Sequence, residues 1–198
     1  MTSRMKRILS ISIFMGISVS SLADLKQTGI YLSAESLAVT KAEQEGLGTQ
    51  LRTLGVDFNK TTALSPVIDR YFSLGLGLTG GDDKDSFDQG VQQGSEGTVF
   101  HKESSIFGAT LFGDVGVSKP LNAKTMAFAG IGSSYYYLNR EISDCSDCKT
   151  EKINLAFAPY AKLGMNFCGE RSCVDVSYRY FMTEDYVHGL GISWRTLR

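Results

Sequence analysis

Apolar residues recur at every second position along much of this chain. From Ile153 to Phe167 the odd positions read Ile153, Leu155, Phe157, Pro159, Ala161, Leu163, Met165 and Phe167, and the positions between them are small or polar. Period two is that of an extended strand with one apolar face, so the run predicts a single strand over 153–167. Val174, Val176, Tyr178, Tyr180 and Met182 predict the next, opposed by Asp175, Ser177, Arg179 and Thr183, with Phe181 joining that second face. In the last, Tyr186, His188, Leu190, Ile192 and Trp194 oppose Gly189, Gly191, Ser193 and Arg195. Upstream, Ile68, Phe72, Leu74, Leu76 and Leu78 oppose Asp69, Tyr71, Ser73, Gly75, Gly77 and Thr79. Phe107, Ala109, Leu111, Val115 and Val117 oppose Gly108, Thr110, Asp114 and Gly116, with Phe112 out of pattern. Thr125 to Leu138 reads as a strand whose sides the pattern leaves open. Two earlier segments, about Gly29–Val39 and Thr49–Asn59, are weaker, although Leu54, Val56 and Phe58 alternate with Thr53, Gly55 and Asp57.

The expectation is therefore eight strands. The connections alternate in kind. Gly80–Glu103 is long and holds Asp82, Asp83, Asp85 and Asp88, and Asn139–Lys152 is also polar. Lys119–Lys124 and Cys168–Cys173 are short. A soluble antiparallel sheet alternates too. Three features favour a membrane: several strands reach the ~9–11 residues that cross a bilayer, the count is even, and aromatics gather near strand ends. Tyr135, Tyr136 and Tyr137 lie at one end and Tyr186 and Trp194 flank the last strand, as interfacial girdles do.

The amino terminus changes where the chain is expected to live. Arg4, Lys6 and Arg7 precede 16 uncharged residues, Ile8–Ala23, and Ser21-Leu22-Ala23 places small residues where a signal peptidase cuts, before Asp24. This is the form of an export signal, and the run falls short of the ~20 residues of a spanning helix. Residues 1–23 are expected to be a signal peptide and 24–198 one barrel domain. The net charge is −1, and it becomes −4 once those three basic residues leave. That balance excludes the basic excess of a nucleic-acid binder.

The closing strand Tyr186-Val-His-Gly-Leu-Gly-Ile-Ser-Trp194 and the architecture around it resemble the eight-stranded outer-membrane barrels of the OmpA, OmpX and opacity-protein type, over effectively the whole chain from Asp24. The resemblance implies an all-β fold, an eight-stranded antiparallel up-and-down transmembrane β-barrel in the bacterial outer membrane. It implies both termini in the periplasm, the long connections outside, and a final strand that the barrel-assembly machinery reads. The implied partners are outer-membrane lipid, lipopolysaccharide and a host or phage surface ligand, with no cofactor and a monomeric state.

In that fold the alternation places Glu35, Asp57, Asp69, Asp114, Lys162, Asp175, Arg179 and Arg195 in the lumen. An eight-stranded barrel is just wide enough for side chains to fill it, and buried charges must pair. A plug of ion pairs is expected, with a narrow ion pore as the other reading. Cys145-Ser-Asp-Cys148 is followed after nineteen residues by Cys168-Gly-Glu-Arg-Ser-Cys173. The spacing resembles paired zinc knuckles. Export favours disulfides, and a strand crossing the membrane between the pairs would hold them ~30 Å apart. Two local bridges, Cys145–Cys148 and Cys168–Cys173, are expected. His188 lies near Glu184 and Asp185, which raises a lipid-modifying hydrolase, but Ser193 sits on the opposite face. The acidic loop lacks the ligand spacing of an EF-hand. The expected function is non-enzymatic, structural or surface-interacting through the outer loops. The alternatives are the hydrolase and a soluble periplasmic barrel that binds a small apolar ligand.

Overall fold

The computed structural model describes residues 28–39, 47–83, 91–92, 99–100, 104–142, 151–153, 155 and 157–196. The signal segment with its cleavage site at Ala23 and Asp24, and the Cys145–Cys148 pair, lie outside the described residues.

Eleven strands occur among them: β1 Thr28–Val39, β2 Leu47–Ala63, β3 Asp69–Asp83, β4 Val91–Gln92, β5 Val99–Phe100, β6 Ser104–Asn122, β7 Thr125–Ile142, β8 Glu151–Ile153, β9 Ala158–Cys168, β10 Ser172–Phe181 and β11 Tyr186–Thr196. β4 and β5 pair only with each other. The rest form one sheet in which β1, β2, β3, β6, β7, β9, β10 and β11 each pair antiparallel with the next. β11 then pairs back onto β1, with Leu32 opposite Trp194 and Glu35 opposite Gly191. These eight strands leave no open edge between them, and the result is an all-β, eight-stranded antiparallel up-and-down barrel. β8 extends the line of β9 along β7, with Leu138 opposite Ile153.

The two ends of the barrel differ. The first residue of β1, the last of β11, and the short turns at 64–68, 123–124 and 169–171 share one end. The connections 40–46, 84–103, 143–157 and 182–185 share the other.

Polarity is inverted relative to a soluble protein. Outward positions on all eight staves carry exposed apolar side chains, among them Leu32, Leu54, Leu76, Leu111, Ile131, Leu163, Val176 and Ile192. Leu54 is 71% exposed and Leu76 67%. Inward positions hold Asp57, Asp114, Lys162, Arg179 and Arg195, all buried. In water such a belt would be a large aggregation-prone surface. Against lipid it costs nothing, and pairing β11 onto β1 removes the open strand edges that a bilayer does not tolerate.

The strand predictions hold with four corrections. The run 153–167 is not one outward-facing strand: it breaks between β8 and β9, and Ile153 and Leu155 are buried in an interior apolar cluster. Tyr186 faces inward, 3% exposed. Ala38 pairs with His188 but Val39 pairs with Tyr186, so Val187 is an extra residue, and the bulge reverses the side of everything before it. Tyr136 is also interior, so the outward girdle at that end has Tyr135 and Tyr137 without it. Phe112, out of pattern in sequence, obeys parity and points into the lumen at 4% exposure.

Candidate functional site

The interior is the site that this fold builds, and it has two layers. At the long-connection end the layer is apolar. Leu37 and Val39 come from β1, Leu51 from β2, Ile106 from β6, Tyr136 and Leu138 from β7. Ile153, Leu155, Ala158, Tyr160, Phe181 and Tyr186 complete it. The rings touch in series: Tyr160–Phe181 centroids are 5.5 Å apart, Phe181–Tyr186 5.2 Å and Tyr186–Tyr136 5.4 Å. Each such contact adds to area burial by about 0.5–1.5 kcal/mol.

Charges begin immediately beneath. Arg179 donates from Nη1 to Glu35 Oε2 at 2.9 Å, and its guanidinium lies 4.7 Å from the Tyr160 ring centre and 4.9 Å from that of Phe112. At the middle, Lys162 Nζ lies 3.1 Å from Asp114 Oδ2, and Tyr160 donates its hydroxyl to the same oxygen at 3.1 Å. Lys162 also lies 5.5 Å from the Phe128 ring centre. Three hydroxyls on adjacent staves, Thr53, Thr79 and Thr110, form a buried hydrogen-bonded row. Nearer the short-turn end, Asn166 donates to Asp175. Arg195 stacks on Tyr31 at 5.0 Å and approaches Cys173 Sγ at 3.6 Å.

Glycine makes room for this filling. A Cβ on Gly132 would lie 2.5 Å from Asp114 Cβ and 2.7 Å from Tyr160 Cζ, and one on Gly189 would lie 2.6 Å from Glu35 Oε1. Large and bare positions thus alternate around the lumen. Between the charges a cavity of about 30 Å³ remains, bordered by Asp57, Tyr71, Ser118, Lys162 and Asp175. Asp57 Oδ1 and Ser118 Oγ are buried without a hydrogen-bond partner among the described residues. A polar space of that size suits one or two waters.

All eight charges named from the sequence have inward register. The structure brings Glu35 to Arg179 and Asp114 to Lys162. Asp57 and Asp175 share the small cavity, Arg195 sits on Tyr31, and Asp69 is half-buried at the start of β3. Cys168 and Cys173 are bonded across the β9–β10 turn, both inside, with 8% and 0% exposure. His188 stacks on Tyr178 at 5.9 Å on the outer face, whereas Ser193 lies on the inner face opposite Ser33 and Asp175. The wall separates them. Reading charges alone missed the apolar layer, buried Arg140, and the aromatic partners Tyr31, Phe112 and Tyr160. Strict parity would have found Phe112 and Tyr160.

No protein-family model matches this chain, and no curated protein matches it. Among solved structures, it is similar to Ail, the attachment invasion locus protein of Yersinia pestis, in complex with the heparin analogue sucrose octasulfate. The TM-score is 0.49 at 14% identity, covering 85% of this chain and 95% of that one. Neisserial surface protein A gives a TM-score of 0.47 at 9% identity, covering 84% of this chain and 96% of that one. The N-terminal β-barrel domain of Pseudomonas aeruginosa OprF gives 0.33 at 10% identity, covering 85% and 98%.

Proposed function

We propose that the protein is a non-enzymatic barrel of the bacterial outer membrane. It would be exported by residues 1–23, folded by the barrel-assembly machinery and monomeric, with its lumen closed. It would meet lipopolysaccharide and a host or phage surface ligand through its long connections. The observation that carries the reading is the inverted polarity: an exposed apolar belt on all eight staves around paired, buried charges. Closure of the lumen draws support from the aromatic series over the Glu35–Arg179 and Asp114–Lys162 pairs.

The test is a gel of the outer-membrane fraction in detergent, with and without boiling. A folded membrane barrel resists the detergent and migrates differently until boiled. A shift in that fraction is expected, and recovery in the soluble periplasmic extract with no shift would overturn the reading. Planar-bilayer recording should then show no steady conductance. Deleting 84–103 should leave the gel shift and abolish phage or host-cell binding. A hydrolase would instead lose activity on His188→Ala.

A further inference from the structure

Two hollows indent the outer wall side by side. One, of about 820 Å³, lies over Phe72, Val115, Ala129 and Ile131, with Lys60 and Arg70 at its edge. The other, of about 780 Å³, lies over Ala127, Ala129, Leu163 and Met165, with Lys119 at its edge. Val117 and Ala129 border both. Their cause is visible in the register. β7 presents Ala127 and Ala129 where the neighbouring staves present Val117 and Lys119 on one side and Leu163 and Met165 on the other. Two small side chains in a belt of large ones leave a trough.

The cations sit where the trough meets the short-turn end. Arg70 pairs across with Thr62 on β2 and Val117 on β6, and Lys119 pairs with Ala127. Lys60, Arg70 and Lys119 therefore step diagonally across three adjacent staves, all exposed. None has an ionic partner among the described residues. The outward positions described around them, Thr62, Phe72, Val117 and Leu121, carry no acid. A lysine or arginine at the edge of an apolar belt must bring its charge to the headgroup layer. Three that do so at one place concentrate positive charge against that layer.

We propose that this sector binds one anionic phospholipid of the inner leaflet, with its two acyl chains in the two hollows and its phosphate among Lys60, Arg70 and Lys119. The inference rests on the membrane reading above, which turns the short-turn end toward the periplasm. Two hollows sharing one rim fit a two-chain lipid, and the unpaired cations fit its anionic headgroup.

The full-length chain, assembled in nanodiscs of phosphatidylcholine doped with phosphatidylglycerol, would be released gently and weighed by native mass spectrometry. A heat-modifiability gel of the same sample separates the two ideas. Without a gel shift the membrane reading itself fails. With a shift, one retained phosphatidylglycerol is expected in preference to phosphatidylcholine. The triple variant Lys60→Gln, Arg70→Gln, Lys119→Gln should lower that preference by on the order of a hundredfold. Ala129→Leu, which fills both hollows and removes no charge, should lower retention of either lipid. Arg52→Gln, exposed toward the other end, should change nothing. Equal retention of the two lipids by the unaltered protein, or an unchanged preference in the triple variant, would overturn the proposal. So would preferential capture of added lipopolysaccharide at the same three cations.

Discussion

Arg179 and Glu35 come from β10 and β1, are both nearly sealed from solvent, and depend on each other. Removing one partner of such a pair leaves an uncompensated buried charge. Arg179→Ala is expected to destabilise by about 3–5 kcal/mol, read as a lowered urea midpoint for unfolding in lipid. Replacing both, as Glu35→Leu with Arg179→Met, should recover most of that loss, because apolar residues of similar size often substitute for buried pairs. The bare lumen positions are equally sensitive. Gly132→Val would drive a side chain into Asp114 and Tyr160 and should cost about 1–3 kcal/mol through overpacking. The same assay measures it. The identities of the lumen charges were legible in the sequence because period two leaves only one other side for them. Their pairing was not, because Glu35 meets Arg179 through barrel closure, and no local spacing encodes that.

At the scale of elements, the β9–β10 hairpin is stapled at its base by Cys168–Cys173, where the two residues also face each other in register. The bridge closes only a short loop, with a sequence separation of 5. Loop-closure entropy then gives it about 2 kcal/mol. The double replacement Cys168→Ser, Cys173→Ser should lower unfolding stability by about that amount while leaving the heat-dependent gel shift intact. Loss of the shift would show that the bridge is needed to form the barrel at all. β1, β2, β3, β6, β7 and β10 were readable from alternation, whereas β4 and β5, of two residues each, lie inside the segment read as a connection and are too short to show a period. β8, β9 and the start of β11 were read with errors, each for a local reason. An apolar residue can face lipid or the inner apolar layer, so Ile153 and Leu155 carry no mark of which side they take. The bulge at Val187 shifts parity by one without changing the kinds of residue on either side.

Over the whole molecule, the belt makes a prediction opposite in sign to that for a soluble protein. Leu76 is at the middle of β3 and points outward. Leu76→Arg is expected to cost about 2–4 kcal/mol if the position lies near the bilayer midplane. In a soluble barrel the same change would be neutral or would improve solubility. Unfolding in lipid measures the difference. The closure that hides the charges also sets a kinetic constraint. The first stave finishes the barrel by pairing with the last, and Leu32 must find Trp194 across nearly the entire chain. A contact so remote in sequence carries a high entropic cost before it returns any energy, so topologies of this kind fold slowly. Until β11 arrives, β1 and β10 each expose a row of unpaired backbone groups. A chain cut short before Tyr186 would therefore be an open sheet with two adhesive edges, and its fate would be pairing with other chains.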